Sequence, residues 1–211
     1  MLVAIVVGLF IADNAARGAA ESALATLVEE RSPGGDASVE IGGFLFVPTL
    51  VAQGKVSSIN VVQSPVVAGN LTLRSVEVDV SGVVLDRSAL VQRQRFQVKD
   101  IERGTVTATM DDAGLSAAVG IPLTLHPDGA ETTVPVLGRV RVPVVLRGAS
   151  LVVQLPAGRQ LTVGLPSLPV MPCISGLTLG EGTAMLTCEI TEVPAALLKG
   201  VGAAAAAASP G

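Results

Sequence analysis

The stretch of sequence that decides the fold is residues 70–84, NLTLRSVEVDVSGVV, in which apolar and polar side chains alternate. Alternation with a period of two is typical of a strand with one dry face and one face in water. The aliphatic residues are Leu71 and Leu73 in one phase and Val76, Val78 and Val80 in the other. Because the phase slips near Arg74, we expect a β-bulge at that point. The acidic residues Glu77 and Asp79 then face water.

Further segments with this pattern predict a mostly β chain. The predicted strands are Ser38–Ile41, Lys55–Gln63, Arg93–Asp100, Gly104–Met110, Ile121–His126, Glu131–Leu137, Arg139–Leu146, Ser150–Leu155, Gln160–Leu165, Leu177–Leu179 and Ala184–Ile190. Turns rich in Gly, Pro and Asp separate many of them at short intervals, as in antiparallel meanders. Pro143 indicates an edge strand or a bulge, because proline cannot donate to a sheet. We therefore expect an α+β, mostly β fold with a long twisted antiparallel sheet curved around an apolar groove and helices packed on it.

The N-terminal residues Met1–Ala12, MLVAIVVGLFIA, form an apolar run without a charge. The run is shorter than the roughly 20 residues of a spanning helix, but it matches the apolar part of a secretory signal or a clipped membrane anchor. A buried core helix is the alternative. We expect an uncleaved anchor that continues into a helix over Asp13–Arg31, where Asp13 or Asn14 can cap the start if the helix breaks from the apolar run.

The composition argues against several classes of function. Hydrophobic residues make up 49% of the 211 positions, Trp and Tyr are absent, and the net charge is −4. The 14 basic residues are scattered, so the chain lacks the basic patch of a nucleic-acid-binding surface. It also lacks the common nucleotide, nucleophile and metal motifs. We expect no catalytic residues, metal or cofactor, and a protein that holds something apolar.

Two cysteines, Cys173 and Cys188, are separated by a segment that contains three glycines. An even number of cysteines in an exported chain predicts a disulfide, with two free buried thiols as the alternative. A metal site lacks further ligands, since the only histidine is His126. The disulfide would contribute about 3 kcal/mol by restricting the unfolded chain.

A candidate binding segment is Ile41–Leu50, IGGFLFVPTL, which gathers two of the four phenylalanines beside the pair Gly42-Gly43. Two glycines let the backbone turn sharply, so the Phe side chains can form an apolar lip, with ordinary core packing as the alternative. A helix that covers only part of the sheet leaves the rest free for acyl chains. The residues predicted to line this site are Phe44, Phe46, Leu50, Val76, Val78 and Val80. The same residues would serve equally well as core.

The order of these parts resembles the LmeA-like phospholipid-binding proteins of actinobacteria, over residues 13–195. The parts that carry the resemblance are the N-terminal anchor and helix, Ile41–Phe46 followed by Leu50, Gly54–Val61, Leu71–Val83 and Gly104–Val119. The family commonly shows I-G-G-F-P-F-L, from which Leu45 and Val47 depart. The resemblance implies a membrane-anchored, extracytoplasmic domain that binds phospholipid in an apolar groove, as part of envelope lipid or lipoglycan metabolism. It supplies no catalytic residues.

We therefore expect one lipid-binding-like domain over residues 13–198, between an anchor over residues 1–12 and a disordered tail over residues 199–211. Its partners would be a phospholipid and the membrane, at the extracytoplasmic face of the plasma membrane.

Two other functions remain open. One is a structural or scaffolding envelope protein whose core is closed and holds no ligand. The other is an enzyme of lipid or mannan maturation, which would need an acid such as Asp79, Asp111 or Asp112. We rank the enzyme last, because Asp111 or Asp112 is better explained as the N-cap of a short helix that runs through Val119.

Overall fold

The structure is a computed structural model that describes residues 2–31, 35–43, 46–68, 71–86, 98–135, 137–165, 171 and 173–191. Side chains are described from residue 12 onwards, except those of residues 27 and 31. The helices are α1 (Leu2–Arg31), α2 (Phe46–Gln53), α3 (Asp112–Val119) and a 3-10 turn at Pro156–Gly158. The strands are β1 (Asp36–Gly42), β2 (Lys55–Ser64), β3 (Val66–Ala68), β4 (Leu71–Leu73), β5 (Ser75–Leu85), β6 (Val98–Asp100), β7 (Arg103–Asp111), β8 (Thr124–His126), β9 (Gly129–Val134), β10 (Gly138–Val142), β11 (Val144–Arg147), β12 (Ser150–Gln154), β13 (Gln160–Gly164), β14 (Gly176–Gly180) and β15 (Thr183–Ile190).

The largest sheet among the described residues has seven strands. Its order is β1-β2-β5-β7-β15-β14, and β6 pairs with β5. Three smaller sheets have the orders β10-β9-β8, β11-β12-β13 and β3-β4. The predicted α+β, mostly β class is confirmed. The predicted apolar groove stays a prediction.

The chain divides into two compact units. The first unit comprises Met1–Val62, Val78–Thr105 and Ile190–Gly211, and the second comprises Gln63–Glu77 and Val106–Glu189. Buried side chains of the first unit include Val39, Ile41, Phe46, Leu50, Val56, Val83 and Leu85. Those of the second include Leu71, Leu73, Val106, Met110, Leu115, Leu125, Leu151 and Val153. The single-domain boundaries, residues 13–198, stay a prediction, as does the disordered tail, which lies outside the described residues.

Helix α1 lies along the edge strand β1 and protects its free backbone donors. The carboxylate of Glu29 accepts a hydrogen bond from the Ala37 N–H at 3.1 Å, and that of Glu21 accepts one from the Ile41 N–H at 2.8 Å. Unpaired N–H groups on an edge strand would otherwise attract another chain. The predicted helix over Asp13–Arg31 is confirmed as part of α1.

The condition under which Asp13 would cap this helix, a break from the apolar run, is not met. Because α1 begins at Leu2, Asp13 lies inside this helix and does not cap it. Instead its buried carboxylate accepts hydrogen bonds from the first N–H groups of α2, those of Phe46 at 2.9 Å and Val47 at 2.6 Å. Arg17, one turn further along α1, lies 3.5 Å from this carboxylate and donates to the carbonyl of Gly43 at 2.6 Å. Helix α1 therefore caps α2 across more than thirty residues of sequence.

The expected bulge near Arg74 is a full break between β4 and β5, which belong to different sheets. The N–H of Arg74 donates to the carbonyl of Thr109 at 2.7 Å, so the break remains hydrogen-bonded to β7. Pro143 acts in the same way: it separates β10 from β11, which also belong to different sheets. Pro143 and the phase slip near Arg74 thus correctly indicated where a strand is interrupted. In both places the strand breaks and changes sheet, which is more than a bulge.

Two further predictions about the second unit are confirmed. Asp111 caps α3 by accepting a hydrogen bond from the Gly114 N–H at 2.8 Å. Asp112 accepts one from the Leu125 N–H at 2.7 Å. Cys173 and Cys188 form a disulfide with a Cα–Cα distance of 5.3 Å, beside the β14–β15 hairpin that the predicted strand pair anticipated.

Candidate functional site

Two hydrogen bonds define how β2 and β5 pair in the first unit. The N–H of Leu85 donates to the carbonyl of Gly54 at 2.7 Å, and the side-chain amide of Asn60 donates to the carboxylate of Asp79 at 2.8 Å. Both contacts fit the same antiparallel register. Asn60 lies six residues after Gly54 on the β2 side, and Asp79 lies six residues before Leu85 on β5. Asn60 and Asp79 therefore share one face of the pair, and their neighbours in sequence point to the other.

That other face carries four aliphatic side chains in two opposed pairs. The register places Val80 opposite Ile59 and Val78 opposite Val61, as direct cross-strand neighbours. All four are half-buried. We refer to these four residues as the aliphatic strip. Each of these side chains therefore keeps part of its apolar surface exposed.

A cavity of about 370 Å³ lies where β2 begins. Its lining residues are Thr49, Gln53, Lys55, Val56, Ser57, Gly82, Val84, Asp100 and Glu102. Lys55 and Ser57 share the alternation phase of Ile59 on β2, whereas Val56 has the opposite phase, so the lining includes both faces of this strand. We refer to this cavity as the polar pocket.

Gly82 is required by the shape of the polar pocket. Its φ is +63°, in the left-handed region that favours glycine, and a Cβ built on it would overlap the side chain of Glu102. The Glu102 N–H also donates to the carbonyl of Ser81 at 3.1 Å. The absence of a side chain at Gly82 therefore leaves room for the Glu102 side chain.

The polar pocket holds charges of both signs that do not neutralise one another. Lys55, Asp100 and Glu102 are all exposed. Across the described part of the chain, none of the three forms an ion pair with another residue. Asp100 accepts one hydrogen bond, from the adjacent Ile101 N–H at 2.9 Å. The carboxylates and the ammonium group therefore keep their capacity for a ligand.

The residues predicted from sequence to line the site have different surroundings. Phe44 lies outside the described residues. Phe46 and Leu50 are buried on α2 in the first unit, and Val76 is buried in the second. Val78 and Val80 belong to the aliphatic strip. That all of these line a lipid site stays a prediction.

Sequence reasoning missed the other half of the strip and the whole polar pocket. Ile59 and Val61 alternate within a predicted strand, so their phase was available as a signal. Asp100 and Glu102 come from a different part of the chain than Lys55, and only strand pairing brings the three together. Asp79, which was named as an acid that an enzyme would need, accepts a hydrogen bond from the side-chain amide of Asn60.

A second cavity, of about 410 Å³, lies in the second unit. Its lining residues are Pro122, Thr124, His126, Glu131, Thr132, Thr133 and Arg139. Here the charged groups are paired: Arg139 lies 3.6 Å from Glu131, and His126 Nδ1 lies 3.0 Å from the carboxylate of Glu181. In the described ranges, no three His, Cys, Asp or Glu side chains are grouped as metal ligands.

Within the described part of the chain, no helix is sufficiently long and apolar to span a bilayer.

Comparison with known families identifies the chain. A family model described as LmeA-like phospholipid-binding matches residues 11–184, well over half of the sequence. The chain belongs to the LmeA-like phospholipid-binding family. The resemblance inferred from the sequence is thereby confirmed, and the matched range contains the aliphatic strip and the polar pocket. No curated protein and no solved structure matches the chain.

Proposed function

We propose that this protein binds a phospholipid and that an acyl chain of the lipid lies along the aliphatic strip. The observation that carries the proposal is the match to a phospholipid-binding family over residues 11–184. The structure supports it with four half-buried aliphatic side chains that form two opposed pairs on one sheet face. The family is described by binding and not by a reaction, so we infer that the protein carries lipid without transforming it.

The strip is sufficient for useful affinity. Each methylene removed from water contributes about 0.8 kcal/mol, so five of them contribute about 4 kcal/mol. Since 1.4 kcal/mol is a factor of ten, this is roughly a thousandfold in the dissociation constant. Aliphatic walls provide this energy without selecting one chain over another.

Lipid binding is tested by native mass spectrometry and by lipid extraction of the purified protein. The informative variant is Val78→Thr with Val80→Thr, because threonine keeps the branched shape and the strand preference of valine. Burying a hydroxyl without a hydrogen-bond partner costs about 1–3 kcal/mol. We expect lipid affinity to fall at least tenfold while the melting temperature changes little.

The matched control is Val67→Thr, which makes the same chemical change at a valine that is 66% exposed in the second unit. It should bind lipid like the unmodified protein. Equal lipid binding by all three proteins would show that the acyl chain does not lie along the strip. A protein that never carries lipid would overturn the whole proposal.

We further propose that the protein acts outside the cytoplasm, anchored by its N-terminal segment to the plasma membrane of an actinobacterial cell, in envelope lipid or mannan maturation. The Cys173–Cys188 disulfide supports this, since structural disulfides persist in oxidising compartments. Thiol labelling of intact cells, before and after reduction, tests it. The cysteines should react only after reduction, and reactive thiols without reduction would contradict an extracytoplasmic location.

One observation favours a second candidate function, a structural envelope protein with a closed core. Phe46, Leu50 and Val76, which were predicted to line a groove, are all buried. This candidate predicts a protein that purifies without lipid and whose strip residues contribute to stability as core residues do.

A further inference from the structure

Helix α2 is apolar on its outer side as well as on its inner side. Phe46 and Leu50 are buried, whereas Pro48, Val51 and Ala52 are exposed, Val51 by 61%. None of the eight residues of this helix, FVPTLVAQ, carries a charge. A surface helix normally turns polar or charged residues towards water. We refer to Pro48, Val51 and Ala52, which lie three and four residues apart, as the outer face of α2.

The start of α2 is attached to α1 at the point where the apolar N-terminal run ends. Asp13 accepts hydrogen bonds from the first two N–H groups of α2, and it directly follows the charge-free residues Met1–Ala12. Arg17 adds a second contact just before α2, to the carbonyl of Gly43 at 2.6 Å. Any surface that receives the apolar run therefore meets the start of α2 at the level of Asp13.

The length of this run sets the depth of α2 in a bilayer. An α-helix rises about 1.5 Å per residue, so Leu2–Ala12 extends about 16 Å along α1. This is near half of the roughly 30 Å hydrocarbon core of a bilayer. When the run lies in one leaflet, Asp13 and the start of α2 lie at the boundary between acyl chains and head groups. At this boundary, lipid covers the apolar face of a helix that lies in the membrane surface.

Helix α2 also borders the polar pocket, to which it contributes Thr49 and Gln53. These two residues are one helical turn apart, on the flank between the outer face and the buried side of α2. A lipid that leaves a bilayer beside α2 would therefore enter the protein at this pocket.

We propose that the outer face of α2 is a membrane-contact surface, and that lipid passes between the bilayer and the protein beside α2. The partner is a lipid bilayer, because α2 is held level with the end of an apolar run that fits one leaflet. Since α2 has no charge, the contact is hydrophobic and does not require anionic lipid. The inference rests on the proposed function, because the lipid that passes is the one assigned to the aliphatic strip.

The contact is tested by fluorescence of the full chain labelled at Val51→Cys. The two native cysteines form a disulfide, so the new thiol takes the label alone. With the environment-sensitive fluorophore NBD on this thiol, phosphatidylcholine vesicles should raise the emission roughly threefold, as the label leaves water. Phosphatidylcholine with a nitroxide near its head group should then quench the emission. Unchanged emission from protein that sediments with the vesicles would overturn the inference.

The matched control is Ser38→Cys, at an exposed position of β1 in the same unit. The neighbouring Ala37 N–H donates to Glu29 of α1, which lies about 24 Å along the helix from Asp13. A label at this position should stay in water and show no change. Equal quenching at both positions would mean that the protein adsorbs without a defined face, which contradicts the inference.

A second copy of the chain is the other candidate to cover the outer face of α2. It would raise the emission of the label at position 51 without vesicles, and the rise would increase with protein concentration. This outcome would also overturn the inference.

The passage of lipid is tested with Val51→Gln. Glutamine favours a helix at least as much as valine does, but its amide loses hydrogen bonds to water on entering lipid. The initial rate of lipid transfer from phosphatidylcholine vesicles should fall roughly fivefold, while the affinity for monomeric dihexanoylphosphatidylcholine stays the same. Val67→Gln, the same change at a valine that is 66% exposed in the second unit, should alter neither quantity. Equal transfer rates in all three proteins would contradict a role of α2 in the passage of lipid.

These outcomes differ from failure of the proposed function. A protein that binds no monomeric lipid refutes lipid binding, whereas the NBD emission still shows whether α2 touches the bilayer. A protein that binds monomeric lipid but keeps α2 in water refutes only the membrane contact.

Discussion

The two units of the chain differ in how their charged side chains are paired and in how fully their apolar side chains are buried. In the second unit, Arg139 pairs with Glu131, Arg141 pairs with Asp128, and Leu125 is fully buried. In the first, the charged side chains of the polar pocket have no ion-pair partner among the described residues, and the aliphatic strip is only half-buried. Groups that satisfy one another stabilise the fold, whereas groups left incomplete can bind a ligand. The first unit is therefore where we expect the ligand.

The largest expected effect tests whether the aliphatic strip differs from core. Leu125→Ala should lower the free energy of unfolding by roughly 4 kcal/mol, because truncation leaves a cavity around a side chain with no exposed surface. Ile59→Ala should cost only about 1–2 kcal/mol, since Ile59 already keeps part of its surface in water. Urea unfolding of both variants measures the difference.

Equal losses for the two variants would break the comparison, because Ile59 would then behave as a core residue. That result would favour the closed structural protein over the lipid-binding one. Val67→Ala, at a mostly exposed valine, provides the baseline for truncation without burial.

The next effect concerns the disulfide of the second unit. Replacing both cysteines, Cys173→Ser with Cys188→Ser, should lower stability by roughly 3 kcal/mol, because the unfolded chain regains the freedom that closing a loop of 15 residues removes. The same loss should follow chemical reduction of the unmodified protein. Lipid binding at low temperature should persist, since neither cysteine lines the strip or the polar pocket. Loss of lipid binding in a folded, reduced protein would show that lipid binding also depends on the second unit.

A smaller effect concerns the cap that α1 provides to α2 in the first unit. Asp13→Asn should cost about 2 kcal/mol, because the amide retains one acceptor oxygen and leaves a buried N–H of Phe46 or Val47 unsatisfied. Hydrogen exchange should accelerate at the α2 amides more than at those of β1. Glu30→Gln, at an exposed position of α1, should change neither. Uniform acceleration over the whole unit would show that Asp13 supports the fold generally and not α2 in particular.

Local sequence patterns predicted those parts of the molecule that depend on neighbouring residues in the chain. Alternation found β7 and β15, and an aspartate at a helix start found α3. Helix α2 was missed because it is short, follows two glycines and contains Pro48, although proline is tolerated in a first turn. The capping role of Asp13 was missed because its partners lie more than thirty residues away.

The polar pocket was missed for the same physical reason. Lys55 and Glu102 meet only because β2 pairs with β5, and β5 with the segment around Asp100. Strand alternation gives the face on which each side chain lies, but the order of strands in a sheet depends on contacts between residues that are distant in sequence. The family resemblance supplied the class of ligand, and neither source supplied the register that places Ile59 opposite Val80.

The smallest expected effect concerns the paired charges of the second unit, Arg141 and Asp128. Arg141 donates a hydrogen bond to Asp128 at 2.9 Å, and this contact holds the pKa of the Asp128 carboxyl below its ordinary value. A carboxyl whose pKa is lowered by folding stabilises the fold above its unfolded pKa, and this contribution is lost as the pH falls through the folded pKa. Because Asp128 is on the surface, the gain in stability is small, so the titration itself is the better measurement.

In Arg141→Gln, an NMR titration should show the pKa of Asp128 rising towards its ordinary value, whereas Arg147→Gln, at another exposed arginine of the same unit, should leave it unchanged. An Asp128 that titrates identically in all three proteins would mean that the ion pair is not formed in solution, and the second unit would then resemble the first in leaving its surface charges unpaired.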